Sequence, residues 1–137
     1  MIAMKTNVLA YLFTAAAFLV ADGVWLGLVA RDFYRSQFGD LMAPNPNMAA
    51  AAAFYVVFVF GLVYFAVWPA LAAGSWTTAL LNGAVLGFCA YATFDLTNLA
   101  VVRGFPATVA FVDIAWGAAL SAAAATAGFF ATRALTS

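Results

Sequence analysis

The chain has no histidine and no glutamate. Without imidazole, haem ligation through His, His-based zinc sites and Ser–His nucleophilic catalysis are excluded. A single cysteine, Cys89, cannot close an internal disulfide; it sits in an apolar run and reads as a small buried residue. Charge is scarce as well. Charged residues make up 7% of the chain, where soluble domains carry about a quarter. Five acids balance five bases, and no basic patch or arm is present, which argues against nucleic acid as a partner.

What is present is apolar. Hydrophobic residues fill 68% of 137 positions, too many for a soluble fold of one domain to hide. Four long apolar runs hold them, at about 8–30, 48–71, 77–102 and 107–131. Each exceeds the ~20 residues that cross a hydrocarbon core. Backbone polar groups in lipid must be satisfied within the segment, so the runs are helices. The expected fold is all-α, a single domain (1–137) forming an antiparallel bundle of four transmembrane helices, with membrane lipid as its surroundings. The first run follows Lys5 and is longer than the apolar core of a signal peptide. No small-x-small cleavage site ends it, so it reads as a retained helix.

The connections differ in kind. The segment from Arg31 to Asn47 holds two of the five bases, two of the five acids, Pro44 and Pro46. It reads as a loop opening with an interfacial turn anchored by Phe33, Tyr34 and Phe38. A five-residue turn, Ala72 to Trp76, joins runs two and three, with Trp68 and Trp76 as interfacial aromatics. Arg103-Gly-Phe-Pro106 joins runs three and four. Even spans put both termini on one side. Arg31, Arg35 and Arg103 on the other side outnumber Lys5 and Arg133, so the positive-inside rule favours termini outside by three bases to two. Small residues four apart at Gly23/Gly27, Gly83/Gly87 and Gly117/Ser121 read as internal packing sites.

The informative residues are Asp22, Asp95 and Asp113, each inside an apolar run. An intramembrane Asp costs roughly 2.5–3.5 kcal/mol at a helix centre and is a functional hypothesis by default. At ~1.5 Å per residue, Asp22 lies ~12 Å before the end of its run, Asp95 ~10 Å before the end of its own, and Asp113 ~9 Å after the start of its run. All three share the half of the bilayer below the first and third loops. Helical spacing adds Trp25 to Asp22, Trp116 to Asp113, and Tyr91 and Asn98 to Asp95, with Thr97 adjacent and Arg103 about two turns above. The expectation is one polar pocket between the first, third and fourth helices, walled by two indoles. The competing reading is that each Asp only ties helices together through indole or phenol groups. Such carboxylates could take Mg²⁺ or Ca²⁺, share a proton, or act as general acid and base. No metal set and no cofactor is specified, and no Asp-based catalytic signature or nucleotide loop appears.

Four segments together carry a resemblance. They are Phe18-Leu-Val-Ala-Asp22-Gly-Val-Trp25-Leu-Gly27; Phe54-Tyr55 with Gly61-Leu-Val-Tyr64-Phe65; Gly87-Phe-Cys-Ala-Tyr91-Ala-Thr-Phe-Asp95-Leu-Thr97-Asn98-Leu-Ala; and Asp113-Ile-Ala-Trp116-Gly117. They resemble a bacterial family of small predicted membrane proteins catalogued as domain of unknown function 2177. The resemblance covers nearly the whole chain. It implies a four-helix membrane protein of the cell membrane, the bacterial inner membrane, and implies no activity.

Two function classes lead. The first is proton- or cation-linked transport at the carboxylates, which four helices would support as a homodimer. The alternative is a membrane enzyme acting on a lipid or isoprenoid from the first-loop side, with the three Asp as acid, base or metal ligands and Arg103 and Arg31 on a headgroup. A structural or assembly subunit is the third. The half of the bundle away from the first loop offers only Asn7, Asn82, Ser121 and Thr126 as polar residues, which speaks for the enzyme over the transporter, whereas the absence of His, Glu and a nucleophile speaks for the transporter or scaffold.

Overall fold

The computed structural model describes residues 3–136. Four helical spans, Met4–Val29, Met48–Ala73, Trp76–Val101 and Ala107–Thr136, are long and apolar enough to cross a membrane. The molecule is an all-α antiparallel bundle, with no strand among the described residues. The last span is longer than the apolar run that marks it. Its polar final turns stay helical, with the Thr136 hydroxyl donating back to the Thr132 carbonyl at 2.7 Å.

The first span consists of α1 (Met4–Val24) and a widened π-helical turn, Trp25–Val29. The Ala30 N–H reaches the Trp25 carbonyl at 2.7 Å, five residues back, and the Ala30 carbonyl then accepts from Tyr34 N–H at 3.0 Å. Helix α2 (Arg31–Phe38) thus starts after a single bent residue, Ala30 at φ −110° and ψ 6°, where the sequence reading expected a loop opening with a turn. Its length follows from amphipathicity. Tyr34 and Phe38, one turn apart, stack at 6.3 Å with planes 14° apart, while Asp32 and Arg35 stay exposed. Gly39, at φ 55°, ends it.

The second span is α3 (Met48–Leu62), a second π-helical turn (Val63–Val67), and α4 (Trp68–Ala73). Asn47 caps α3, its Oδ1 accepting from Ala50 N–H at 3.1 Å. Pro69 has no N–H to offer the Phe65 carbonyl four residues before it. Asn82 Nδ2 donates to that carbonyl from the next span instead, at 3.1 Å. The hairpin to α5 (Trp76–Val101) is tighter than expected. Left-handed Gly74 and the capping residue Ser75 suffice, because α4 and α5 each run further than their apolar stretches.

The fourth span, α6 (Ala107–Thr136), is the most buried and packs along both α5 and α1. Close approach is possible only where side chains vanish. A Cβ on Gly83 or Gly87 would strike the α6 backbone at Ser121 or Gly117, one on Gly117 would strike the Tyr91 ring, and one on Gly128 would strike Thr14. Gly23 and Gly27, expected to pack in the same way, have nothing within 4 Å and face outward. Cys89 is likewise exposed, not buried, because α5 presents Gly83, Gly87 and Asp95 inward and turns Cys89 to the lipid side. Phe18, Leu62, Val67, Leu120 and Phe129 fill the core. The second span packs on α5 through its π-helical turn, whereas α3 leans on α1. A cleft therefore opens between α3 and α5.

Candidate functional site

The three intramembrane carboxylates meet three different environments. Asp22, 5% exposed on α1, accepts two hydrogen bonds. Tyr55 O–H on α3 donates to its Oδ2 at 2.6 Å and Trp116 Nε1–H on α6 donates to its Oδ1 at 3.0 Å. Asp113, half-buried on α6, accepts one, from Tyr34 O–H at 2.9 Å. Asp95, 0% exposed on α5, accepts none, and both of its oxygens are buried without a donor. The carboxyl beside it is that of Asp113, which lines the same cavity. Two carboxylates cannot satisfy each other unless a proton or a cation stands between them.

The two indoles named by the sequence lie together. Trp25 and Trp116 stack with centroids 4.4 Å apart and planes 9° apart. Each N–H serves a different part of the site, because Trp25 Nε1 donates to Tyr34 Oη at 3.1 Å. A chain of contacts results: Trp25 to Tyr34 to Asp113 on one side, Trp116 to Asp22 to Tyr55 on the other. Burial holds the Tyr34 phenol above its usual range, the Trp25 N–H opposes that, and the charge of Asp113 adds to it.

Two cavities meet at this cluster. One, of about 810 Å³, opens toward the loops and is lined by Arg31, Tyr34, Arg35, Phe94, Asp95 and Asp113 among others. The second, of about 510 Å³, occupies the cleft between α3 and α5 and is lined by Asp22, Phe54, Tyr55, Tyr91, Asp113 and Trp116. Leu26, Phe94 and Asp113 belong to both. The cleft continues along α3 and α5 as an apolar groove past Phe54, Phe58, Gly61, Leu86 and Ala90. Asp113 is thus the hinge through which all three carboxylates are connected.

Not every residue singled out in the sequence faces these cavities. Thr97 is exposed, and its hydroxyl donates to the carbonyls of Thr93 and of Phe94, within its own helix. Asn98 and Arg103 line neither cavity, and Arg103 is exposed above them. Tyr34, Tyr55 and Arg35 do take part, and the sequence reading did not place them in the pocket. Tyr55 stands two positions after a polyalanine stretch with nothing polar near it, so only the fold reveals its partner. Tyr34 and Arg35 carried a usable signal, since Arg31, Tyr34, Arg35 and Phe38 recur at helical spacing in a segment read as a loop.

No group of three or more His, Cys, Asp or Glu side chains gathers as a metal site among the described residues. Two facing carboxyls, a phenol and two guanidinium groups can instead exchange a proton with, and orient, a polar molecule. No curated protein and no solved structure matches the chain. A family profile covers residues 7–130, and on that match the chain belongs to the family described as predicted membrane protein DUF2177.

Proposed function

We propose that the protein is a membrane-embedded acid–base site acting on an amphiphile drawn from the bilayer. The observation that carries this reading is the junction at Asp113 of two cavities, one open to the loop face and one to the hydrocarbon between α3 and α5. A lipid or isoprenoid could enter sideways with its chain in the apolar cleft. Its polar group would then stand against Asp95 and Asp113 without crossing the membrane. One of the two carboxyls would hold a proton and the other would be ready to accept one, so the pair could donate to or take from an oxygen of the bound molecule. Asp22, fully engaged by Tyr55 and Trp116, would hold the walls in place.

The test is the lipid profile of a strain lacking the gene, complemented with wild type or with Asp113→Asn. An amphiphile that accumulates in the deletion and in the variant, and clears with wild type, supports the reading. An unchanged profile in all strains overturns it.

Proton-linked transport has one observation in its favour. In the half of the bundle away from the loops with Arg31 and Arg103, Asn7, Thr14, Ser121 and Thr132 each leave a buried oxygen without a partner. Such atoms are what a proton path would need. The close seam of α5 and α6 at Gly83, Gly87 and Gly117 weighs against passage of anything larger. Acidification of proteoliposome lumens by wild type but not by Asp95→Asn would favour this second reading.

A further inference from the structure

The order of chemistry along the joined cavities specifies more than an amphiphile. From the loop face inward come two guanidinium groups, Arg31 and Arg35, then the facing carboxyls Asp95 and Asp113, then an apolar cleft. Among the described residues, neither guanidinium is held by a side-chain partner; the arginine hydrogen bond present is that of Arg133 to the Gly74 carbonyl, at the far end of the bundle. Arg31 and Arg35 are four apart on α2, so both project from one face of that helix, which Tyr34 ties to Asp113. Paired arginines at membrane–water level suit an anion, above all a phosphate with oxygens enough for both.

The cleft sets the other end of the ligand. Phe94, Ala90 and Leu86 line it in succession along α5, a run of eight residues or ~12 Å at the helical rise. It is one groove wide, bounded by Phe54 and Phe58 across from Ala90 and Leu86. Between the arginines and the cleft stands Asp95, a buried carboxylate with both oxygens unpartnered, lining the cavity.

Resting on the amphiphile reading above, we infer that the ligand is a single-chain phosphate ester, with its phosphate on Arg31 and Arg35, its ester oxygen at Asp113 and Asp95, and its chain in the α3–α5 cleft. The linear order is what distinguishes it. A zwitterionic headgroup would place its cation outermost, against the arginines. A neutral alcohol would leave the arginines idle. A two-chain lipid would need a second groove beside the α3–α5 cleft for its other chain.

The test uses the full-length protein carrying Trp68→Phe and Trp76→Phe, in maltoside detergent, and a dodecyl phosphate brominated along its chain, with fluorescence quenching of the stacked Trp25–Trp116 pair as the readout of chain insertion. It is repeated with the brominated alcohol of equal length, with inorganic phosphate as a competitor, and on the variants Arg31→Gln and Arg35→Gln. Both arginines are exposed, so these variants leave the fold intact, which circular dichroism checks. The expected result is saturable quenching by the phosphate ester, weaker quenching by the alcohol, and a loss of affinity of about tenfold for each arginine removed. Inorganic phosphate is expected to compete only at far higher concentration. Equal binding of ester and alcohol, or no effect of either arginine variant, overturns the inference. Ala90→Phe, which fills the cleft, separates this failure from that of the amphiphile reading. If Ala90→Phe abolishes quenching by both probes while the arginine variants change nothing, the phosphate falls and the amphiphile stands. If Ala90→Phe leaves quenching unchanged, both fall.

Discussion

Tyr34 and Asp113 are 79 positions apart in the chain and joined by a 2.9 Å hydrogen bond, which fastens the amphipathic helix α2 over the intramembrane carboxylates. The same phenol oxygen accepts from Trp25, so one side chain links the end of the first span, the roof and the fourth span.

Tyr34→Phe removes both bonds and keeps the ring. The expected cost is about 1–3 kcal/mol, most of it from leaving Asp113 without its donor. Hydrogen–deuterium exchange should rise across residues 31–38 and stay unchanged in α5 and α6. Equal protection of wild type and variant would mean that packing of Phe38 and Tyr34 alone holds the roof.

Alkaline pH tests the same bond without mutation. Tyr34 ionises with greater difficulty in the folded protein than at its ordinary value of 10.0, because burial and the Asp113 charge oppose the phenolate and outweigh the Trp25 N–H. A group whose native value is raised adds stability below its unfolded value and loses that contribution as pH climbs past it. Stability should therefore be level up to about pH 10 and fall above it. Tyr34→Phe should show a shallower fall in that window, read by unfolding in detergent at stepped pH.

Asp95→Asn separates structure from chemistry. Asn keeps the size and brings an Nδ2 donor to the Asp113 carboxylate that Asp95 faces. Stability should hold or rise, while rescue of the deletion phenotype should fail. A variant both stable and fully active would retire Asp95 as a functional residue.

The glycines give a contrast within one experiment. Gly117→Ala drives a methyl into the Tyr91 ring and should cost about 1–3 kcal/mol by overpacking. Gly23→Ala meets nothing within 4 Å and should gain up to ~1 kcal/mol from helix propensity. Reversible unfolding of both variants in detergent reads the difference. A neutral Gly117→Ala would mean that α5 and α6 part more easily than their seam suggests.

The four spans were legible because lipid leaves a chain one solution, and 18-residue apolar windows are hard to mistake. Helical rise set the three carboxylates at one depth, but helical phase paired Asp22 with Trp25 and Asp113 with Trp116, whereas the Trp116 N–H donates to Asp22 and the Trp25 N–H to Tyr34. The carboxylates' division of labour was not legible. Asp22 and Asp95 look alike in sequence, each an acid in an apolar run. What separates them is Tyr55 and Trp116, which reach Asp22 from other helices and leave Asp95 without a donor. Rotation of each helix about its axis decides such partners, and no local pattern fixes rotation where every face is apolar. The roof was missed for a different reason. Charges and prolines between residues 31 and 47 suggested a loop, and the eight residues that form a helix lie before the first proline.

The widened turn Trp25–Val29 gives the first span one residue of slack at that point. Each residue of an α-helix turns the chain by about 100°. Removing a single residue between Trp25 and Val29 would close the segment into ordinary α-helix with the Ala30 N–H still on the Trp25 carbonyl, now four residues back, and α2 left in place. Tyr34 would keep its reach to Asp113, and Arg31 and Arg35 theirs to the cavity. A one-residue gap here is therefore not equivalent to one elsewhere in the first span, which would swing everything beyond it by more than a quarter turn: among related chains, a gap at this turn is the one that leaves the carboxylates roofed.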